Sequence, residues 1–155
     1  VSEPIELELE LPDVLELRMV QQPRELPADM GALIAGKPGH GAHLVRQSSG
    51  PLSALRVVWE DEFGVVRLLD ASDAGHIDLL CGLTITATPD AGDVTVQRSG
   101  PVDDAAWSWT PGRVYLGASG ALTQSPPVGG FDVLVGVAVS ATRLFLNIQD
   151  PIELE

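Results

Sequence analysis

Side chains able to do chemistry are few in this sequence, and they are scattered. His40 and His43 are three apart, a spacing that puts two imidazoles within reach of one metal ion, but no cysteine or further histidine lies close by and His76 belongs to another loop. The expectation there is a glycine-rich loop without a metal. Asp103 and Asp104 are adjacent. Neighbouring side chains on a strand point to opposite faces, so this pair cannot share a proton or flank a scissile bond, and a solvated turn leading to Trp107 is expected instead. Cys81, the single cysteine, has Leu79, Leu80 and Leu83 around it and nothing basic nearby in sequence to lower its pKa, which reads as a buried thiol acting as a small hydrophobe. No Gly-x-Ser-x-Gly elbow, phosphate-binding loop, His-Glu-x-x-His or dinucleotide fingerprint occurs. Nothing can therefore be assigned as nucleophile, base or oxyanion donor, and a non-enzymatic protein without a cofactor is expected.

Trp107-Ser108-Trp109 is the most informative polar-aromatic feature. On a strand, alternation would put both indoles on one side, where they cap the core beside Pro111 or stack on sugar rings. Core capping is the favoured reading, because aromatic residues make up only 5% of the chain and leave little for an extensive carbohydrate groove. Pro126-Pro127, followed by Gly129-Gly130, makes an exposed loop tip. Trp107, Trp109, Pro126 and Pro127 are thus the candidates for surface recognition, with a host surface glycan as the partner they would suit.

The elements that must position these residues read as β structure. In 155 residues, Gly 16 and Pro 12 favour turns, bulges and strand ends over helices. Residues 1–20 are expected to form an extended, strand-forming arm. Ile5, Leu7, Leu9 and Leu11 alternate with Glu6, Glu8 and Glu10, the period of a half-buried strand whose apolar face needs a cover. Residues 21–50, broken by Pro23, Pro27, Gly31, Gly36, Pro38, Gly39, Gly41 and Gly50, read as a linker. Residues 51–155 then run as short apolar segments separated by turns, the pattern of a small, mainly antiparallel sandwich or barrel. Asp61-Glu62-Phe63-Gly64 and Pro89-Asp90-Ala91-Gly92-Asp93 read as hairpin loops, the second joining strands over residues 79–88 and 94–97.

Two repeats stand out. Cys81-Gly82-Leu83-Thr84-Ile85-Thr86-Ala87-Thr88 matches Val135-Gly136-Val137-Ala138-Val139-Ser140-Ala141-Thr142 in type at every position, which suggests two related hairpins facing across one core. Gly82 and Gly136 each interrupt an apolar run, as at a bulge or a close backbone approach. Separately, Pro4-Ile5-Glu6-Leu7-Glu8 recurs verbatim at Pro151-Ile152-Glu153-Leu154-Glu155.

A formal charge of −13 with only nine Lys and Arg residues works against nucleic acid and anionic membranes. No apolar run approaches the ~20 residues of a membrane span, so neither nucleic acid nor membrane insertion is expected.

Trp107-Ser108-Trp109-Thr110-Pro111-Gly112-Arg113-Val114-Tyr115-Leu116-Gly117, then Gly120-Ala121-Leu122-Thr123-Gln124-Ser125-Pro126-Pro127, then Val135-Gly136-Val137-Ala138 with Ala141-Thr142 and Pro151-Ile152, resembles a β module of tailed-bacteriophage virion proteins. Such modules occur at the ends of tail fibres and appendages, and a related plan occurs in small capsid-decoration proteins. The resemblance covers about a third of the chain. It implies a structural role in the virion, assembled in the host cytoplasm, with a homotrimer and other tail or capsid proteins as partners and no catalytic residues. A tail-associated subunit docked by its arm is the first expectation; capsid decoration, and then a carbohydrate-binding domain, are the alternatives.

Overall fold

A computed structural model describes residues 42–155; the arm residues Ile5, Glu6, Leu7, Glu8, Leu9, Glu10 and Leu11, the 1–20 segment and most of the 21–50 segment lie outside them. The described chain is all-β. Its first five strands are β1 (His43–Ser48), β2 (Val57–Glu60), β3 (Val65–Leu68), β4 (Leu80–Thr84) and β5 (Asp93–Gln97), and they form a closed barrel in the order β1-β3-β2-β4-β5. Every junction is antiparallel except β1–β3, which is parallel. Strands β6 (Ser99–Asp103), β7 (Gly112–Leu116), β8 (Leu122–Thr123), β10 (Leu134–Ser140) and β11 (Arg143–Asn147) make a second sheet in the order β6-β11-β10-β7-β8. A small third sheet pairs β9 (Gly130–Asp132) with β12 (Ile152–Leu154).

The barrel extends into the segment whose composition reads as a linker. His43-Leu44-Val45-Arg46-Gln47-Ser48 is a short run between glycines, and its ladder to β5 runs from His43↔Gln97 to Gln47↔Asp93. Two of its apolar side chains are exposed, Val45 at 63%, so the strand is held by its hydrogen bonds on both edges more than by buried surface. That is why hydrophobic periodicity does not reveal it.

The 61–64 hairpin is present, and its turn is built by one side chain. Asp61 Oδ1 accepts the backbone N–H groups of Phe63 and Val65, each at 3.0 Å, while Gly64 takes the left-handed conformation at φ 77°. The strand expected over 79–88 is shorter than its pattern, because β4 ends at Thr84. Beyond it the regular ladder stops: the Ile85 N–H still reaches the Thr95 carbonyl at 2.7 Å, but the Thr95 N–H is taken by the Thr86 hydroxyl at 2.8 Å, the kind of local hydrogen bond that competes with a strand, and Thr88 pairs instead with Leu52.

Two clusters of apolar side chains fill the fold. Leu52, Val58, Val66, Cys81, Val94 and Val96 fill the barrel interior. A larger core lies between the barrel wall and the second sheet, with Val57, Leu69, Ile77, Leu80 and Leu83 from one side and Val102, Val114, Leu116, Val135, Leu144 and Leu146 from the other. Gln97 ties the two parts together at the β5–β6 junction. Although buried, it is fully engaged: His43 Nε2 lies 2.9 Å from its Oε1, and its Nε2 donates to the carbonyls of Ser99 (2.9 Å) and Pro101 (3.1 Å). Pro101 itself sits on edge strand β6, where its missing N–H leaves no gap inside the sheet.

The internal repeat has a geometric counterpart. A Cβ on Gly82 would meet the carbonyl oxygen of Gln97 at 2.7 Å, and one on Gly136 would meet that of Phe145 at 2.3 Å. Each glycine also lies beside a bulge, with Cys81 or Val135 as the extra residue. Gly136→Ala is therefore expected to lower unfolding stability in urea by about 1–3 kcal/mol, since the obstacle is backbone and cannot rotate away. Gly129→Ala, with nothing within 4 Å, should leave the midpoint unchanged.

Candidate functional site

The corner at residues 53–56 holds one of the two non-glycine residues at positive φ among those described, the other being Ser119. Leu55 adopts φ 61°, a left-handed conformation in which its Cβ crowds the following carbonyl. Thr84, fully buried, holds it there. The Thr84 carbonyl accepts the Leu55 N–H at 2.7 Å, its hydroxyl accepts the Arg56 N–H at 3.0 Å and donates to the Ser53 carbonyl at 2.9 Å, and its own N–H donates to the Arg56 carbonyl at 2.8 Å. One polar residue thus satisfies itself while fixing three residues of neighbouring chain, and the strain in Leu55 persists because the surroundings over-determine it.

Facing this corner is the tryptophan loop. Trp107 and Trp109 do not lie on a strand, yet their rings meet, with centroids 5.5 Å apart and planes tilted by 55°. The loop is held from three sides. The Asp104 carboxylate accepts the Ala106 N–H at 2.7 Å, the Trp109 N–H reaches the Ala141 carbonyl at 2.9 Å, and the Gln124 side-chain amide pairs with both backbone groups of Thr110. Both indoles are half-buried against the shared core, so the core-capping reading describes their inner faces. Their outer sides, with Leu55, Arg56 and Leu122, line an open groove of about 330 Å³. The Trp109 Nε1 hydrogen is buried and meets no acceptor among the described residues. The Arg56 side chain makes no ion pair or hydrogen bond among them either, in contrast to Arg46, Arg67 and Arg143, which each hold a carboxylate.

The other sequence candidates fall elsewhere. Pro126 is exposed and Pro127 half-buried on the loop before β9, and neither lines the groove. Asp103 is the last residue of β6 rather than part of a turn, and Arg143 grips it through two hydrogen bonds of 2.7 and 2.9 Å that hold its carboxyl below the usual carboxylate range. Asp104 does belong to the turn. Cys81 is buried as its leucine neighbours suggest; loss of water around the sulfur, and Glu60 Oε2 at 3.4 Å, push the thiol up to about 11, away from the thiolate a nucleophile needs. His43 is on β1, His40 lies outside the described residues, and no group of three His, Cys, Asp or Glu side chains fit to hold a metal occurs among those described. His76 instead stacks on Trp59, with ring centroids 3.8 Å apart, and its Nδ1 lies 2.8 Å from an Asp73 carboxylate oxygen.

No protein-family model matches the chain, and no curated protein does. Of the groove residues, Trp107 and Trp109 were legible as candidates from their spacing, whereas Leu55, Arg56 and Thr84 were not; no sequence signal marks a leucine that will be forced to positive φ.

Thr84→Val keeps the shape and removes the hydroxyl, leaving the Arg56 N–H and the Ser53 carbonyl without their partner. It should lower stability by about 1–3 kcal/mol in a denaturant titration, whereas Thr84→Ser should retain most of it.

Proposed function

We propose that the protein is a non-enzymatic structural subunit of a bacteriophage particle, a tail-associated fibre or appendage component that docks by its N-terminal arm and presents the β module of residues 42–155. The resemblance of residues 107–127, 135–142 and 151–152 to virion modules motivates the reading. In the fold, those residues supply β7, β8, much of β10 and the start of β12.

The observation that carries assembly is the outer face of the second sheet. Register places Pro101, Phe145, Val137 and Arg113 side by side across four strands, β6, β11, β10 and β7. Phe145 is 50% exposed and Val137 41%, with Val139 next to them at 52%. An aromatic and two valines in a row on a rigid sheet face favour a covered state. The cover we assign is a second copy of the chain, in a homotrimer. Arg113, at the end of the apolar row, makes no ion pair among the described residues, and a chain with 22 carboxylates offers it partners on a neighbouring copy. Capsid decoration is the second reading, favoured by the compact packing of the described residues 42–155 around two apolar clusters. Imaging of particles labelled on this protein separates tail from head.

Light scattering on the full chain should give three times the monomer mass, and Phe145→Glu should shift it to monomer without unfolding it. A monomer at micromolar concentration for the unmodified chain overturns the trimer.

The arm carries a separate expectation. Ile5, Leu7, Leu9 and Leu11 each contribute roughly 1.5–3 kcal/mol if fully covered by a virion partner. Leu7→Asp combined with Leu9→Asp keeps the length but removes the apolar face, and should prevent incorporation into particles while the β module stays folded. Normal amounts of the double mutant in particles would mean that the β module, and not the arm, makes the contact.

A further inference from the structure

The geometry points to the Trp107–Trp109 groove as a binding site for a carboxylate-bearing sugar ring, with Arg56 as the carboxylate receptor. This inference is independent of how the protein assembles.

Three features meet there. The first is strain: Leu55 is kept at φ 61° by four hydrogen bonds centred on buried Thr84, and this conformation belongs to the residue next to Arg56 and on the same groove wall. Strained, over-determined backbone is characteristic of sites that hold a ligand group in place. The second is charge. The chain carries −13, and the other arginines of the barrel wall are engaged: Arg46 with Glu60, Arg67 with Asp61, Arg98 with the carbonyls of Leu80 and Cys81. Arg56 makes no such contact among the described residues, although carboxylates are the commonest charged groups in the sequence. A planar guanidinium left open on a groove wall is suited to a bidentate carboxylate. The third is the shelf itself. Two indoles tilted by 55° at 5.5 Å, flanked by Leu55 and Leu122, present an apolar surface for the C–H face of a ring; the buried Trp109 Nε1 hydrogen has no acceptor among the described residues.

Size selects among carboxylates. At about 330 Å³ the groove is at the small end of ligand sites, enough for one or two sugar rings but short for an extended acidic peptide. A neutral sugar would leave Arg56 unanswered, and a simple organic acid would leave the indole shelf bare. A uronic acid answers both: its ring face covers the indoles and its carboxylate meets the guanidinium.

The test uses the full chain, with tryptophan fluorescence and saturation-transfer NMR reading the binding of methyl β-D-glucuronide, its neutral counterpart methyl β-D-glucoside, and the acidic peptide acetyl-Glu-Leu-Glu-amide. The glucuronide should bind in the millimolar range or tighter, with its ring protons receiving saturation, and the glucoside should bind about tenfold or more weakly. Arg56→Gln, a half-buried side chain outside both cores, should retain the melting temperature and abolish the difference between the two sugars. Trp107→Ala should abolish both; should it fail to fold, Leu122→Ser tests the opposite side of the shelf with the same expected loss. Absence of glucuronide binding overturns the proposal. So does binding that is unchanged in Arg56→Gln, or binding of the peptide in place of the sugar.

Discussion

Strands β2 and β4 each face two cores at once, and the rest of the molecule depends on this. Successive side chains of a strand point to opposite sides, so Val57 enters the core shared with the second sheet while Val58 enters the barrel. On β4 the same division falls between Leu80 and Cys81, with the bulge opposite Val58 and Trp59 shifting the alternation so that Leu83 returns to the shared core. A surface strand needs one apolar face; these need two, which is why Val57-Val58 and Leu80-Cys81 are continuous apolar pairs. The apolar cluster inside the barrel comprises six buried side chains among those described, and without the second sheet its outer wall would leave Val57, Leu69 and Leu83 in water. The two sheets are therefore one folding unit, not two modules joined at Gln97.

The second sheet shows the simpler arrangement. On β11, Leu144 and Leu146 are buried while Arg143, Phe145 and Asn147 are exposed; on β7, Val114 and Leu116 are buried while Arg113 and Tyr115 face out. This one-sided alternation was readable from the sequence, as were the 61–64 turn, the close approaches at Gly82 and Gly136, and the β class as a whole. What periodicity could not show was any element whose stability comes from something other than buried side chains. Strand β1 is held largely by hydrogen bonds at both edges, and the 85–88 stretch looks like a strand in composition but pairs only at Ile85 and, through a bridge to Leu52, at Thr88, with the Thr86 hydroxyl taking the Thr95 N–H between them. Neither case breaks the physics of patterning; each lies outside what apolar spacing measures.

The groove was half legible for the same reason. Two tryptophans separated by one residue are conspicuous in a chain with three, and their proximity survives even though no strand imposes it. The opposite wall depends on a long-range contact, from Thr84 back to residues 53–56, that no local signal encodes. The site's electrostatics was hidden by its own surroundings. In a strongly acidic chain an arginine is expected to be neutralised, and only the fold shows that the acids near Arg56 in sequence, such as Glu60 and Asp61, are spent on Arg46 and Arg67.

Both sheets join an early strand to a late one, and this sets how the chain must reach its native state. The barrel closes only when His43 meets Gln97, 54 residues later, and edge strand β6 joins its sheet only through β11, with Asp103 and Arg143 40 residues apart. Few contacts are available to a partial chain, because loop-closure entropy must be spent before the non-local pairs return anything. Such topologies fold in roughly milliseconds to seconds, slower than helical domains of equal size. At synthesis rates of roughly 5–20 residues per second, β1 emerges roughly 2–10 seconds before the end of β5, the strand that closes its edge. The charge of −13, a poor match for nucleic acid, is well suited to that interval: like-charged nascent chains repel one another while their strand edges are unpaired.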